Sequence, residues 1–188
     1  MKKLFSLAII SLTLGAAQAQ KVEIPSHCIV GEVSLLDANM GTGKYTNLKP
    51  NGKVLSLCAD RGEPPFNRIA YRYGKVGAVE LEHVATAQLK MAVEYNARPR
   101  PGGGSASSSA LWFQRGGSVY AITECTMGCM GSFVLTVHNG KKLVAKLSPY
   151  KDYTSSLPDI DFNKPSPALV FKEMPNNINT FDILRGED

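Results

Sequence analysis

The chain has 188 residues, 44% of them hydrophobic, with 21 basic and 16 acidic side chains and four cysteines. That hydrophobic share excludes a disordered chain, and the length suits one domain with a core of its own. The modest positive charge excludes a nucleic-acid binder, which needs a concentrated basic face.

In chain order, residues 1–19 read as an export leader. Lys2 and Lys3 give a positive start, "LFSLAIISLTLG" is apolar but too short to span a bilayer, and "AQAQ" places Ala17 and Ala19 at the small positions of a cleavage site. Residues 20–188 are then expected to form a single β domain in the periplasm or the medium, with no membrane insertion once the leader is removed. Loss of Lys2 and Lys3 leaves a net charge of about +3.

An even number of cysteines in an oxidising compartment reads as two disulfides. Of the three possible pairings, Cys28–Cys58 and Cys125–Cys129 are favoured. The first ties the N-terminal segment to "VLSLC"; the second closes a small ring that Gly128 makes easier. The competing readings of "CTMGC" lack support. A redox pair wants two intervening residues at a helix start, zinc wants further ligands close by, and His27, His83 and His138 form no paired motif. No metal or other cofactor is expected.

The N-terminal part, to Gly52, predicts one strand, "HCIVGEVSLL", followed by a glycine-rich turn. From about Val54 to Leu147 the chain reads as antiparallel strands. "NRIAYRYG" sets Ile69, Tyr71 and Tyr73 against Ala70 and Arg72. After the turn "GKVG", "AVELEH" sets Val79 and Leu81 against Glu80 and Glu82. "LKMAVEY" aligns Leu89, Met91, Val93 and Tyr95. "ALWFQRGGSVYAI" predicts a hairpin about Gly116-Gly117, with Phe113 opposite Tyr120 and Leu111 opposite Ile122. Its other face, Trp112, Gln114, Val119 and Ala121, is apolar enough to be covered as well. In "FVLTVHNGKKLVAKL", a three-residue loop His138-Asn139-Gly140 sets Leu135 against Leu143 and leaves His138 in an exposed turn.

Between these hairpins, "RPRPGGGSASSSA" predicts a flexible, protruding loop over 98–109. It is either a solvated connection or a probe that contacts a partner through Arg98, Arg100, Ser105, Ser107, Ser108 and Ser109, together with Arg115 and Ser118 of the hairpin tip. Residues 150–188, rich in proline and asparagine, predict an extended tail tacked down by Leu169, Val170, Phe171, Ile178, Phe181, Ile183 and Leu184. The whole is a mainly β fold: an antiparallel sheet closing as a barrel or a sandwich, with an extended C-terminal segment.

No catalytic motif stands out. "GTGKY" lacks the first glycine and the Ser/Thr of a phosphate loop, "GGGSAS" lacks the last glycine of a nucleophile elbow, and Glu80 and Glu82 read as solvent-facing. "SLC…IAYRYGKVGAVELE" resembles a set of small exported bacterial β-proteins of undefined role. Trp112, Phe113, Arg115 and Gly116 resemble a hairpin of the periplasmic lysozyme inhibitors. Those resemblances imply a non-enzymatic protein that binds a protein partner, a cell-wall hydrolase or a secreted toxin, as an inhibitor or immunity protein. Two other readings stay open: a carrier with a cavity lined by Tyr71, Tyr73, Phe113 and Tyr120, and an enzyme with a dispersed site.

Overall fold

The computed structural model describes residues 24–43, 47–99, 103–127 and 133–185. The leader, Arg100 and Cys129 lie outside these residues. Ten strands form one sheet: β1 (Val33–Thr42), β2 (Lys49–Ala59), β3 (Ile69–Lys75), β4 (Ala78–Ala85), β5 (Met91–Pro99), β6 (Ser105–Arg115), β7 (Ser118–Met127), β8 (Phe133–Asn139), β9 (Lys142–Ser155) and β10 (Leu169–Phe171). Their order is β10-β5-β6-β7-β8-β9-β1-β2-β3-β4, and all pairings are antiparallel except β10 with β5. The sheet curls nearly into a barrel. Edge strand β4 reaches β6, where the His83 ring stacks on Phe113 at 4.0 Å and the Arg115 guanidinium donates to the Glu82 carbonyl at 2.7 Å.

β9 joins the two halves. Its first part pairs with β8, and the part from Ser148 to Ser155 pairs with β1. The expected tail over 150–188 therefore starts later, because Tyr150 to Ser155 still belong to this strand. Strand β1 likewise starts at Val33, six residues beyond the expected start at His27, and residues 24–32 lie outside any strand.

The interior is packed with Leu35, Leu36, Met40, Leu55, Leu57, Phe66, Ile69, Tyr71, Phe113, Phe133 and Leu135. The outer face is covered too, by the two ends of the chain. Residues 24–32 lie over β2 and β3. The C-terminal segment, with the short helix α1 (Thr180–Arg185), packs Met174 and Ile183 on Trp112, Val119 and Ala121. Both faces of β3 are consequently buried: Ala70 and Arg72 as well as Ile69 and Tyr71.

The β6–β7 hairpin has the expected register, Leu111 with Ile122 and Phe113 with Tyr120. Gly116 and Gly117 both take positive φ, 57° and 80°, the backbone that a tight two-residue turn demands. The β8–β9 hairpin differs from expectation. Asn139 pairs with Lys142 across a two-residue Gly140-Lys141 turn. The extra residue is Val144, between the pairs His138–Leu143 and Val137–Ala145. A bulge inside the strand, instead of in the turn, restores the apolar face. His138 is thus a strand residue, 7% exposed, and not an exposed turn residue. Leu89 and Tyr95, placed with Met91 and Val93 by alternation, are exposed; Leu89 precedes the strand. In the tail, Leu169 and Ile183 are buried, Val170 and Phe171 are exposed, and the Phe181 side chain lies outside the described residues.

Cys28 and Cys58 form a disulfide with Cα atoms 5.5 Å apart, tying the N-terminal cover to β2. Cys125 is also disulfide-bonded. The Cys28–Cys58 bond closes a 30-residue separation. Replacing both cysteines with serine should lower the unfolding free energy by about 3 kcal/mol in urea titrations. An unchanged midpoint would mean that the bond does not constrain the unfolded chain.

Candidate functional site

The described residues expected to act together are spread over the end of β5, the whole of β6 and the start of β7. Ser105 to Ser109, expected in a flexible loop, form the first half of that strand, because they pair with Tyr95 to Pro99 of β5. Small hydroxyl side chains tolerate a ladder whose two faces are both covered. Ser108 is fully buried, its Oγ 2.8 Å from that of Thr180 beneath the C-terminal cover, and Ser107 is buried as well. Neither can touch a partner without the fold opening. Ser109 is half-buried on the interior face, and Ser105 is exposed. Arg98 pairs with Ala106 in the ladder, and its side chain lies outside the described residues.

The hairpin tip lies at the opposite end. Ten residue steps along β6 from Ser105 to Arg115 span roughly 33 Å at strand rise. The loop and the tip therefore cannot form one compact contact, which corrects the expected joint surface. The tip has a different neighbour. Ser118 pairs with Asn139, so the Gly116-Gly117 turn and the Gly140-Lys141 turn lie side by side. Arg115, Lys141 and Lys142 are all exposed on these two hairpins. Among them Arg115 is fixed, its guanidinium held by the Glu82 carbonyl. This end of the barrel is a rigid, basic, paired-hairpin rim.

The most elaborate polar site lies elsewhere, under residues 24–32. Arg72 on β3 is 4% exposed. It donates to both carboxylate oxygens of Glu32 at 2.5 and 3.0 Å, to Glu82 at 2.7 Å and to the His27 carbonyl at 3.1 Å. Arg68 pairs with Glu32 as well. Alongside, Ser34 and Ser56 each donate to Asp37 at 2.5 Å, and the His27 N–H donates to Ser56 at 2.9 Å. Each buried charge there has partners, as burial requires. Burial raises the Glu32 pKa, but hydrogen bonds from Arg72, the Ile29 N–H and Arg68 outweigh it and hold the carboxyl at about 2. Cys28, Glu32 and Cys58 come within metal-ligating distance of one another, but both sulfurs are committed to the disulfide.

Two further buried groups, Glu124 and His138, escaped the sequence reading. Glu124 continues the interior parity of Tyr120 and Ile122, opposite Ser109 and Phe133. The hairpin register, extended by one pair, identifies it. His138 was displaced by the misread turn. Both its ring nitrogens are buried without a hydrogen-bond partner, and burial pushes its pKa below the usual imidazole value.

The expected carrier cavity is filled. Tyr71 meets Phe113 edge-on at 5.0 Å, Phe113 stacks on Tyr120 at 5.1 Å, and these rings pack against one another as core.

The chain matches no family model, no curated protein and no solved structure. The functional reading therefore stands on the geometry.

Glu32 should govern acid stability. Its folded pKa lies below the model-compound value of 4.5, so its contribution is complete above pH 4.5 and is lost as pH falls towards 2. That loss is about 3 kcal/mol. Urea unfolding between pH 5 and 2 should show the slope in the wild type and a reduced slope in Glu32→Gln; equal slopes would remove Glu32 as its source.

Proposed function

We propose that the protein is an exported, non-enzymatic binding protein that acts as an inhibitor or immunity protein against a peptidoglycan-degrading enzyme. The observation that carries this reading is the basic paired-hairpin rim, Arg115, Lys141 and Lys142, standing on a barrel with a packed interior. A packed, doubly covered sheet is a rigid support. Recognition then falls to its turns, and little conformational freedom is lost on binding. Enzymes that cleave glycan strands work with paired carboxylates in an open cleft. A narrow basic rim complements such a cleft in shape and sign, and charge complementarity speeds association.

The disulfide Cys28–Cys58 fits an oxidising compartment. Together with the leader expected over residues 1–19, it supports a periplasmic or secreted location. Of the residues first expected to bind, Arg115 and Ser118 remain in the contact, while buried Ser107 and Ser108 leave it.

The test is inhibition of a panel of muramidases and other wall hydrolases by the purified chain. One or more should be inhibited at equimolar protein. Charge reversal at Arg115, Lys141 and Lys142 together should weaken inhibition by about 100-fold, with greater loss at low salt, while leaving the circular dichroism spectrum unchanged. Undiminished inhibition by the reversed variant would remove the rim from the contact. Turnover of a wall substrate by the protein itself would overturn the reading.

A further inference from the structure

Glu124 occupies the interior face of β7, where water hardly reaches. It is 5% exposed, and its Oε2 has no hydrogen-bond partner. It lines a cavity of about 10 Å³, the room of a single water, with Ser109, Leu111, Leu157 and Phe162 among the walls. The groups that face it are Val93 from β5, Ser109 from β6, Phe133 from β8, and Leu157 and Phe162 from the segment that closes this end. Asp159 of that segment is exposed, and its charge acts on the carboxyl from outside and repels a second negative charge.

That closing segment is weakly tied. It begins at Ser156, whose N–H donates to the Leu35 carbonyl at 2.9 Å. It rejoins the barrel at Ala168, whose N–H donates to the Phe66 carbonyl at 3.1 Å. Between these anchors the backbone bonds are local: Asp159 to Ser156, Ile160 to Leu157, Phe162 to Ile160 and Lys164 to Asp161. What presses the segment onto the barrel is the packing of Leu157, Ile160 and Phe162. Isolated single-turn bonds are marginal without packing, so opening meets little backbone bonding to the barrel and frees these local amides.

We propose that Glu124 and residues 156–163 form a pH-operated latch at this end of the barrel, closed while the carboxyl keeps its proton and driven open when the proton leaves. A neutral carboxyl tolerates the apolar pocket; a carboxylate needs water, which enters only if the segment lifts. Burial, with a smaller contribution from the Asp159 charge, pushes the Glu124 pKa up from 4.5 to about 7. An open latch returns the carboxyl to water and to its ordinary value. The opening constant then rises tenfold per pH unit from 4.5 to about 7, about 300-fold in all, and is level above that. Opening bares Leu157, Ile160 and Phe162 around a carboxylate, an apolar surface that the closed form hides. The latch is independent of the inhibitor reading. Glu124 is six steps along β7 from Ser118, roughly 20 Å from the rim.

Hydrogen exchange of the Ile160 and Phe162 amides in the full chain, corrected for intrinsic exchange, reads the opening directly. Between pH 4.5 and 7 their protection should fall about tenfold per pH unit and then level off. The amides of Leu55 and Leu57 in β2 should show no such slope. Glu124→Gln, which keeps the shape without the titration, should abolish the slope and remain protected at pH 8. Asp159→Asn leaves the carboxyl in place and should move the levelling point to lower pH. Constant protection of Ile160 and Phe162 across this range, or an unaltered slope in Glu124→Gln, would overturn the latch.

Discussion

Arg72 donates hydrogen bonds to Glu32, to Glu82 and to the His27 carbonyl from a place that solvent hardly enters. An isolated guanidinium there would cost several kcal/mol, and one carboxylate would compensate it only in part. The arrangement closes because residues 24–32 fold back over β3 and bring Glu32 with them. The same movement places Cys28 beside Cys58 and the His27 N–H on Ser56. Covalent and ionic ties thus enforce one position of the N-terminal cover, and β3 becomes an interior strand on both faces. Gly74 belongs to this constraint. A Cβ there would sit 2.3 Å from the Ala78 carbonyl oxygen, where β4 bulges at Glu80, and the Gly74 carbonyl lies 3.3 Å from the His27 ring.

The C-terminal cover solves the same problem with weaker means. Trp112 donates to the Lys172 carbonyl at 3.1 Å, the Met174 N–H donates to Glu94 at 2.6 Å, and Asn96 and Ser108 meet the Thr180 hydroxyl. Beneath it, Thr123, Thr136 and His138 keep buried polar atoms without partners. The N-terminal cover is therefore clamped by ion pairs and a disulfide, the C-terminal cover by hydrogen bonds and apolar packing. The segment 156–163, between the last long strand and that cover, bonds to the barrel backbone through Ser156.

Much of this was legible in the residues. Gly116-Gly117 with its alternating flanks fixed the β6–β7 register, since a slip of one residue puts Phe113 and Tyr120 on opposite faces. The even cysteine count, read with an expected oxidising compartment, pointed to the Cys28–Cys58 bond. What escaped was whatever depends on a second layer. Arg72 alternates with Tyr71 and Tyr73 and so reads as a solvent-facing residue; only the returning N-terminal segment makes it interior. The serines of "SASSS" carry loop composition, yet they suit a strand sandwiched between core and tail. The bulge at Val144 left no mark in the sequence, so the β8–β9 turn starts at Gly140 and not at His138, and His138 becomes a strand residue. Glu124 is readable by parity, since it follows Tyr120 and Ile122 on the interior face of β7.

The central claim is that Arg72 and Glu32 hold the N-terminal cover through each other, and a double-mutant cycle isolates that coupling. Arg72→Met, Glu32→Gln and the double variant would be unfolded in urea at pH 7 with the disulfide intact. A coupling of at least about 2 kcal/mol, with the double variant more stable than the sum of the single losses predicts, is the expected result. Strict additivity would contradict the account.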